Sequence, residues 1–151
     1  MLVYVGSPGI GKTYFCAALT EWILVTFGNR WRYHREEDLL RHLRSVINES
    51  NGDYSREIEL KCDDEFVILD DVGSGIDYSR SEHKNFEWRA EVFFTFLDYR
   101  YRTEKPTLIT SNLNRQQFSK IYSPRVESRL FARENTIIEL HDEEDKRQKG
   151  M

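Results

Sequence analysis

The chain has 151 residues, with 22 Lys and Arg against 26 Asp and Glu for a net charge of −4. That length fits one domain that can bury a core without disulfide or metal support. Twenty aromatic residues exclude a disordered chain, and the acidic balance excludes a globally basic nucleic-acid coat while leaving room for a local basic patch.

In chain order, Leu2-Val3-Tyr4-Val5 is a short apolar, β-branched run stopped by Gly6, which predicts a buried strand already under way at the start of the chain. A glycine-rich turn follows from Gly6 to Gly11. Thr13 to Phe27 holds neither Gly nor Pro and is closed by Gly28-Asn29, the pattern of a helix and its C-cap. Trp31 to Tyr33 predicts a second strand. Glu36 to Ile47, with Leu39, Leu40, Leu43, Val46 and Ile47 at helical spacing, predicts a second helix. Residues 48–56 predict a polar loop. Phe66-Val67-Ile68-Leu69 before Asp70-Asp71 has the unbroken apolar character of a central parallel strand. Residues 73–84 predict another polar loop. Phe86 to Tyr101 predicts a helix with Phe86, Ala90, Phe93 and Leu97 on one face. Pro106 to Thr110 predicts a strand whose opening proline costs no ladder bond. Short helices over 115–121 and 125–132 and a last strand from Thr136 to Leu140 complete the chain. There is no internal repeat or low-complexity tract, and strands alternating with helices predict an α/β layered fold on a parallel sheet.

Two exclusions bear on setting. Cys16 and Cys62 form no CxxC pair, so neither a zinc site nor a disulfide framework is indicated, and a reducing, cytoplasmic setting is the simplest expectation. The apolar run after Met1 is too short for a signal peptide, and no apolar run reaches the about 18 residues of a membrane span.

Chemistry enters at Gly6-Ser7-Pro8-Gly9-Ile10-Gly11-Lys12-Thr13, which fits G-x-x-x-x-G-K-[ST] between a predicted strand and a predicted helix. Glycines let successive backbone N–H groups turn toward one anion, and the helix start adds its positive dipole end. The expected cradle runs from Gly6 through Tyr14. Within it Lys12 reaches the β- and γ-phosphates of ATP, and the Thr13 hydroxyl ligates Mg²⁺. An acidic strand end should complete such a site, and Phe66 to Asp71 supplies it. Asp70 holds Mg²⁺, directly or through water, and Asp71 orients or deprotonates the attacking water.

Together the segments GSPGIGKT, FVILDDVG, PTLITSNL and RVESRL resemble the AAA+ ATPases of the DnaC/IstB type, helicase loaders and ATP-binding partners of transposases, over essentially the whole chain. The resemblance implies a P-loop NTPase fold, three-layer αβα, with a mainly parallel five-stranded sheet and no separate helical lid. It implies an ATPase core over residues 1–141, followed by a charged tail at 142–151. It implies that Asn112 acts as the sensor-1 residue, contacting the γ-phosphate or positioning water. Arg129 is similar to the arginine finger that acts on ATP held by a neighbouring subunit. Arg125, one turn earlier, lies on the same face. Between 115 and 133 five bases meet one acid, a net +4 that suits such a contact. A finger acting in trans implies slow hydrolysis by an isolated monomer, since such arginines contribute about 10³–10⁵ in rate. The usual upstream adenine-contacting segment and helicase-binding domain have no counterpart in these residues, which implies an N-terminally shortened member. Arg147 is the one candidate for a second sensor arginine.

The resemblance also implies self-association into a ring or spiral with ATP, single-stranded DNA as a partner, and a replicative helicase or transposase as a client; no membrane is implied. Arg30, Arg32, Arg35, Arg41 and Arg44 near Trp31 and Tyr33 offer phosphate contacts and a stacking surface, diluted by Glu36, Glu37 and Asp38. Core packing is the commoner role of a strand Trp or Tyr, and Trp22, Trp31 and Trp88 read as packing residues. Arg41 and Arg44 are the leading DNA candidates. The four histidines form no ligand set. Two competing functions stay open. A small P-loop kinase has no use for Asp71 or the TSN and SRL segments and should carry an arginine-rich lid. An ATP-dependent interaction module would bind nucleotide and barely hydrolyse it.

Overall fold

The computed structural model describes residues 1–28, 30–49, 54–61, 63–74 and 83–140. Five strands, β1 (Leu2–Gly6), β2 (Trp31–Arg35), β3 (Phe66–Val72), β4 (Thr107–Ser111) and β5 (Thr136–Leu140), form one sheet in the order β2-β3-β4-β1-β5. Every neighbouring pair is parallel. Parallel neighbours need crossovers, and the described helices supply them: α1 (Lys12–Phe27), α2 (Glu36–Glu49), α3 (Tyr54–Lys61), α4 (His83–Arg102), α5 (Arg115–Ile121) and α6 (Pro124–Leu130).

The two-residue period of the strands divides the core into two layers. Val3, Val5, Val67, Leu69 and Ile109 face α2 to α6 and pack on Leu43, Ile58, Phe96, Phe118 and Leu130. Tyr4, Phe66, Ile68 and Leu108 face the other way onto Cys16 and Ile23 of α1. The molecule is therefore a three-layer αβα sandwich, with one of the described helices on one face and five on the other. Burial pushes the Cys16 thiol up to about 12, with the charge of Asp70 adding to the effect.

The differences from the expected elements have local causes. Helix α3 overlaps the polar loop expected at 48–56; among its described side chains Ile58 is buried while Leu60 is 60% exposed, so the sequence shows no apolar period there. Strand β2 continues to Arg35 and passes into α2 without a loop. Helix α4 begins at His83, three residues before the first apolar position. Helix α6 begins at Pro124, with the Ser123 hydroxyl accepting from the Val126 N–H as an N-cap and proline at the first helical position. Trp31 and Trp88 pack against the core, but Trp22 is 56% exposed on the outer side of α1, opposite Cys16 and Ile23, with its ring edge-on to Phe27. The charged tail at 142–151, Arg147, Cys62, and most of the loop expected at 73–84 lie outside the described residues. Among those described, no helix is long and apolar enough to cross a membrane.

Candidate nucleotide site at the carboxyl end of the sheet

Strand β1 ends where backbone crowding demands glycine: a Cβ on Gly6 would lie 2.9 Å from the Leu140 carbonyl oxygen of β5. The chain then curls through Gly9 and Gly11, both at positive φ, and Gly11 caps α1 with no side chain bonded to the helix start. The first-turn N–H groups are left for an anion. Lys12 is 6% exposed, and its Nζ donates to the carbonyls of Gly6 (2.8 Å) and Ser7 (2.9 Å), spanning the loop.

A cleft of about 300 Å³ opens over this loop. Pro8, Gly9 and Gly11 line one wall with Lys12, Thr13 and Tyr14, and Asp71 and Asn112 stand across from them. Gly6 and Ser7 line an adjoining recess of about 270 Å³ that shares Pro8 and Asn112 and is bounded by Asn114, Gln117 and Glu139. Ile10, the remaining cradle residue, is buried and braces the turn against Gly6.

Strand β3 delivers the acids through an irregularity in its pairing with β4 between Leu69 and Val72. Asp70 is 2% exposed, and its Oδ2 accepts from Thr13 Oγ1 (3.2 Å) and from the Tyr33 hydroxyl (2.5 Å), while Oδ1 accepts from the Thr110 hydroxyl. Burial first, and then the bond to Asp70, hold the Tyr33 phenol protonated well above its ordinary range. The Asp71 N–H donates to Thr110 Oγ1 (2.9 Å), so one hydroxyl aligns both acids. Asp71 itself sits at φ 62°, with its carboxylate accepting from Arg35 at 3.4 Å. Behind them the Ser111 hydroxyl donates to the Val72 carbonyl (2.6 Å) and accepts from the Leu113 N–H (3.0 Å).

The donors that converge here are hard oxygens, which suits magnesium. Among the described residues no group of three or more His, Cys, Asp or Glu can hold a metal alone. An ion at Thr13 and Asp70 would therefore complete its shell from phosphate oxygens and water.

Several residues of this site went unread in the sequence. Tyr33, Arg35 and Thr110 reach Asp70 and Asp71 from neighbouring strands, and only strand order reveals that. Tyr33, 41% exposed, is committed through its hydroxyl to Asp70, which corrects the expectation that it packs in the core. Glu36 is 2% exposed, although it opens an acidic triplet that reads as solvated. It binds Arg89, Tyr122 and the Gly73 N–H. Burial works against the Arg89 charge, but Glu36 and Tyr122 outweigh it and hold the guanidinium above its usual range. Burial, reinforced by Glu36, raises the Tyr122 phenol well above its usual range.

Arg129 does not line the cleft of its own chain. It pairs with Asp98 (2.8 Å), lies over the Tyr101 ring (4.8 Å) and keeps 38% of its side chain exposed. Arg125 lies over Phe94 (4.2 Å), so α4 presents Phe94, Asp98 and Tyr101 as a seat for both arginines of α6. The other basic candidates are spread out. Arg30 pairs with Glu65 and Arg32 with Asp64 at the amino end of β2, and Arg35 holds Asp71 at its carboxyl end. On α2, Arg41 pairs with Asp38 and Arg44 stacks on Trp88.

The sequence matches the family model for "IstB-like ATP binding protein" over residues 1–129. The crystal structure of the DnaC helicase loader superposes with a TM-score of 0.73 at 25% identity, covering 93% of this chain and 77% of that one. DnaI gives a TM-score of 0.63 at 25% identity, covering 96% and 72%. AMPPCP-bound DnaA from Aquifex aeolicus gives 0.72 at 20% identity and shares the fold; this chain covers 41% of its length. No curated protein matches the sequence significantly.

Proposed function

The chain belongs to the IstB-like ATP binding protein family, with the AAA+ core fold of DnaC-like proteins, and from that premise we propose that it binds and hydrolyses ATP in the cleft over Gly6–Tyr14. The observation that carries this reading is the meeting of Thr13 Oγ1 and Asp70 Oδ2 at 3.2 Å beneath a cleft that Asp71 and Asn112 close from the far side.

The mechanism follows from what each group must exchange. Lys12 leaves the Gly6 and Ser7 carbonyls for the β- and γ-phosphate oxygens, trading two neutral acceptors for charged ones. The N–H groups of the α1 start hold the same phosphates. Thr13 and Asp70 would hold magnesium, which would supply charge neutralisation for the phosphates. Asp71 is released from Arg35 to orient the attacking water and take its proton, while Asn112 contacts the γ-phosphate or that water. The new P–O bond forms in line as the bond to the ADP oxygen breaks. Arg129 of a neighbouring copy leaves its Asp98 seat to stabilise the developing charge.

Two catalytic groups are thus restrained in the isolated chain, Asp71 by Arg35 and Arg129 by Asp98. That supports slow turnover by the monomer and acceleration on self-association into a ring or spiral. Family membership and the likeness to a helicase loader support a DNA-associated role: loading a replicative helicase, or helping a transposase, on single-stranded DNA. Sizing the protein with and without an ATP analogue and single-stranded DNA tests this. Nucleotide-dependent assembly is the expected outcome, and an unchanged monomer that also turns over nucleosides would return the reading to a small kinase.

A further inference from the structure

The junction of β2 and α2 places two consecutive residues on the carboxyl end of β3 and the turn after it. Arg35 holds the Asp71 carboxylate, and Glu36 holds the loop two residues further on. The Gly73 N–H donates to Glu36 Oε2 at 2.8 Å. Arg89 donates to both Glu36 oxygens, with Nε 3.0 Å from Oε1, and the Tyr122 hydroxyl donates to Oε1 at 2.6 Å. Four donors from three other elements therefore fill one buried carboxylate, which leaves it little freedom to rotate. Position 73 admits only glycine, because a Cβ there would meet Leu113 Cδ1 at 2.4 Å and its φ of +84° suits glycine. Tyr122 caps the carboxyl end of α5 and joins α6 through Ser123, itself at φ 147°. One carboxylate thus ties the turn that follows Asp70 and Asp71 of β3 to the turn that leads into α6 and its arginines.

A buried ion pair contributes little net stability compared with a packed apolar pair of the same volume; what it supplies is a fixed geometry. We propose that Glu36 is a positioning residue that couples the acid-bearing end of β3 to the α5–α6 turn, so that seating α6 against another copy and placing Asp71 depend on the same group. The proposal rests on the reading that Asp71 and Arg129 act in ATP hydrolysis.

Two near-isosteric variants test it: Glu36→Gln keeps the shape but removes the charge, and Tyr122→Phe removes one hydroxyl from the end of α5. The Gly73 amide proton is read by NMR, ATP affinity by titration, and kcat by phosphate release, with Lys12→Ala as the blank. Expected are an upfield move of the Gly73 amide in Glu36→Gln and a shift of the same resonance in Tyr122→Phe. Expected also is a kcat about tenfold lower in Glu36→Gln at an ATP affinity within about twofold of wild type, with the double variant no slower than Glu36→Gln alone. A Gly73 amide indifferent to Tyr122→Phe, additive losses, or affinity and kcat falling together would overturn the coupling. If the wild type shows no turnover above the Lys12→Ala blank, the ATPase reading fails instead, and the amide resonance still decides the coupling. Should Glu36→Gln not fold, Tyr122→Phe alone decides by the same Gly73 shift.

Discussion

The two ends of the parallel sheet handle charge differently, apart from the exposed Arg35–Asp71 pair at the carboxyl end. At the carboxyl end Lys12, Asp70 and Glu36 are 6%, 2% and 2% exposed, and the acids are each shared among three or more groups from separate elements. At the amino end Arg30–Glu65, Arg32–Asp64 and Lys105–Asp63 are pairs in which at least one side chain stands largely in water. The buried cation there, Arg100, is held by the Thr107 hydroxyl and by the carbonyls of Asp64, Glu65 and Pro106. Exposed pairs contribute little because water serves each partner almost as well. A buried, shared group cannot be removed without stranding its partners. The partners at the carboxyl end are also hydroxyls, loop carbonyls and N–H groups that can trade their bonds for phosphate and water, which is what a binding site requires.

That contrast can be broken by mutation, from the largest expected effect to the smallest. Lys12→Ala should lower kcat by about 10³ and weaken ATP binding, read by phosphate release and nucleotide titration. Asp71→Asn should lower kcat by about 10² while ATP affinity stays put, since its carboxylate is needed only when water attacks. Tyr33→Phe should lower unfolding free energy by about 1 kcal/mol in denaturant titration, because Asp70 keeps only its two threonine donors. At the other end, Arg30→Ala should change unfolding free energy by at most about 0.5 kcal/mol and leave turnover alone. A loss at Arg30 as large as that at Tyr33 would erase the distinction between the two ends.

The same contrast explains what could be read beforehand. The cradle is contiguous in the chain, so Gly6 to Thr13 announces itself, and the acids announce themselves because they follow the apolar run of β3. Tyr33 and Thr110 reach Asp70 only through the β2-β3-β4 neighbourhood, a property of sheet order that no local pattern carries. Glu36 was hidden by its company, since Glu37 and Asp38 make the triplet look solvated. The loopless passage from β2 into α2, which forces its first residue inward, becomes visible only when both elements are in place. Helix α3 was hidden because Ile58, the buried residue among its described side chains, sets no period by itself. Strands β1, β3, β4 and β5 were legible because their apolar runs are short, separate and bounded by polar segments, whereas β2, WRYHR, has no apolar run and was legible only in part.

The central claim is that each cleft is completed by Arg129 of another copy, and mixing two damaged proteins tests it most directly. Lys12→Ala and Arg129→Ala should each be nearly inactive alone. Mixed, they should regain a clear fraction of wild-type ATP turnover, because an intact Lys12 cleft on one copy then meets an intact Arg129 on the other. Wild-type turnover by Arg129→Ala alone, or no recovery in a mixture shown to co-assemble, would contradict the account.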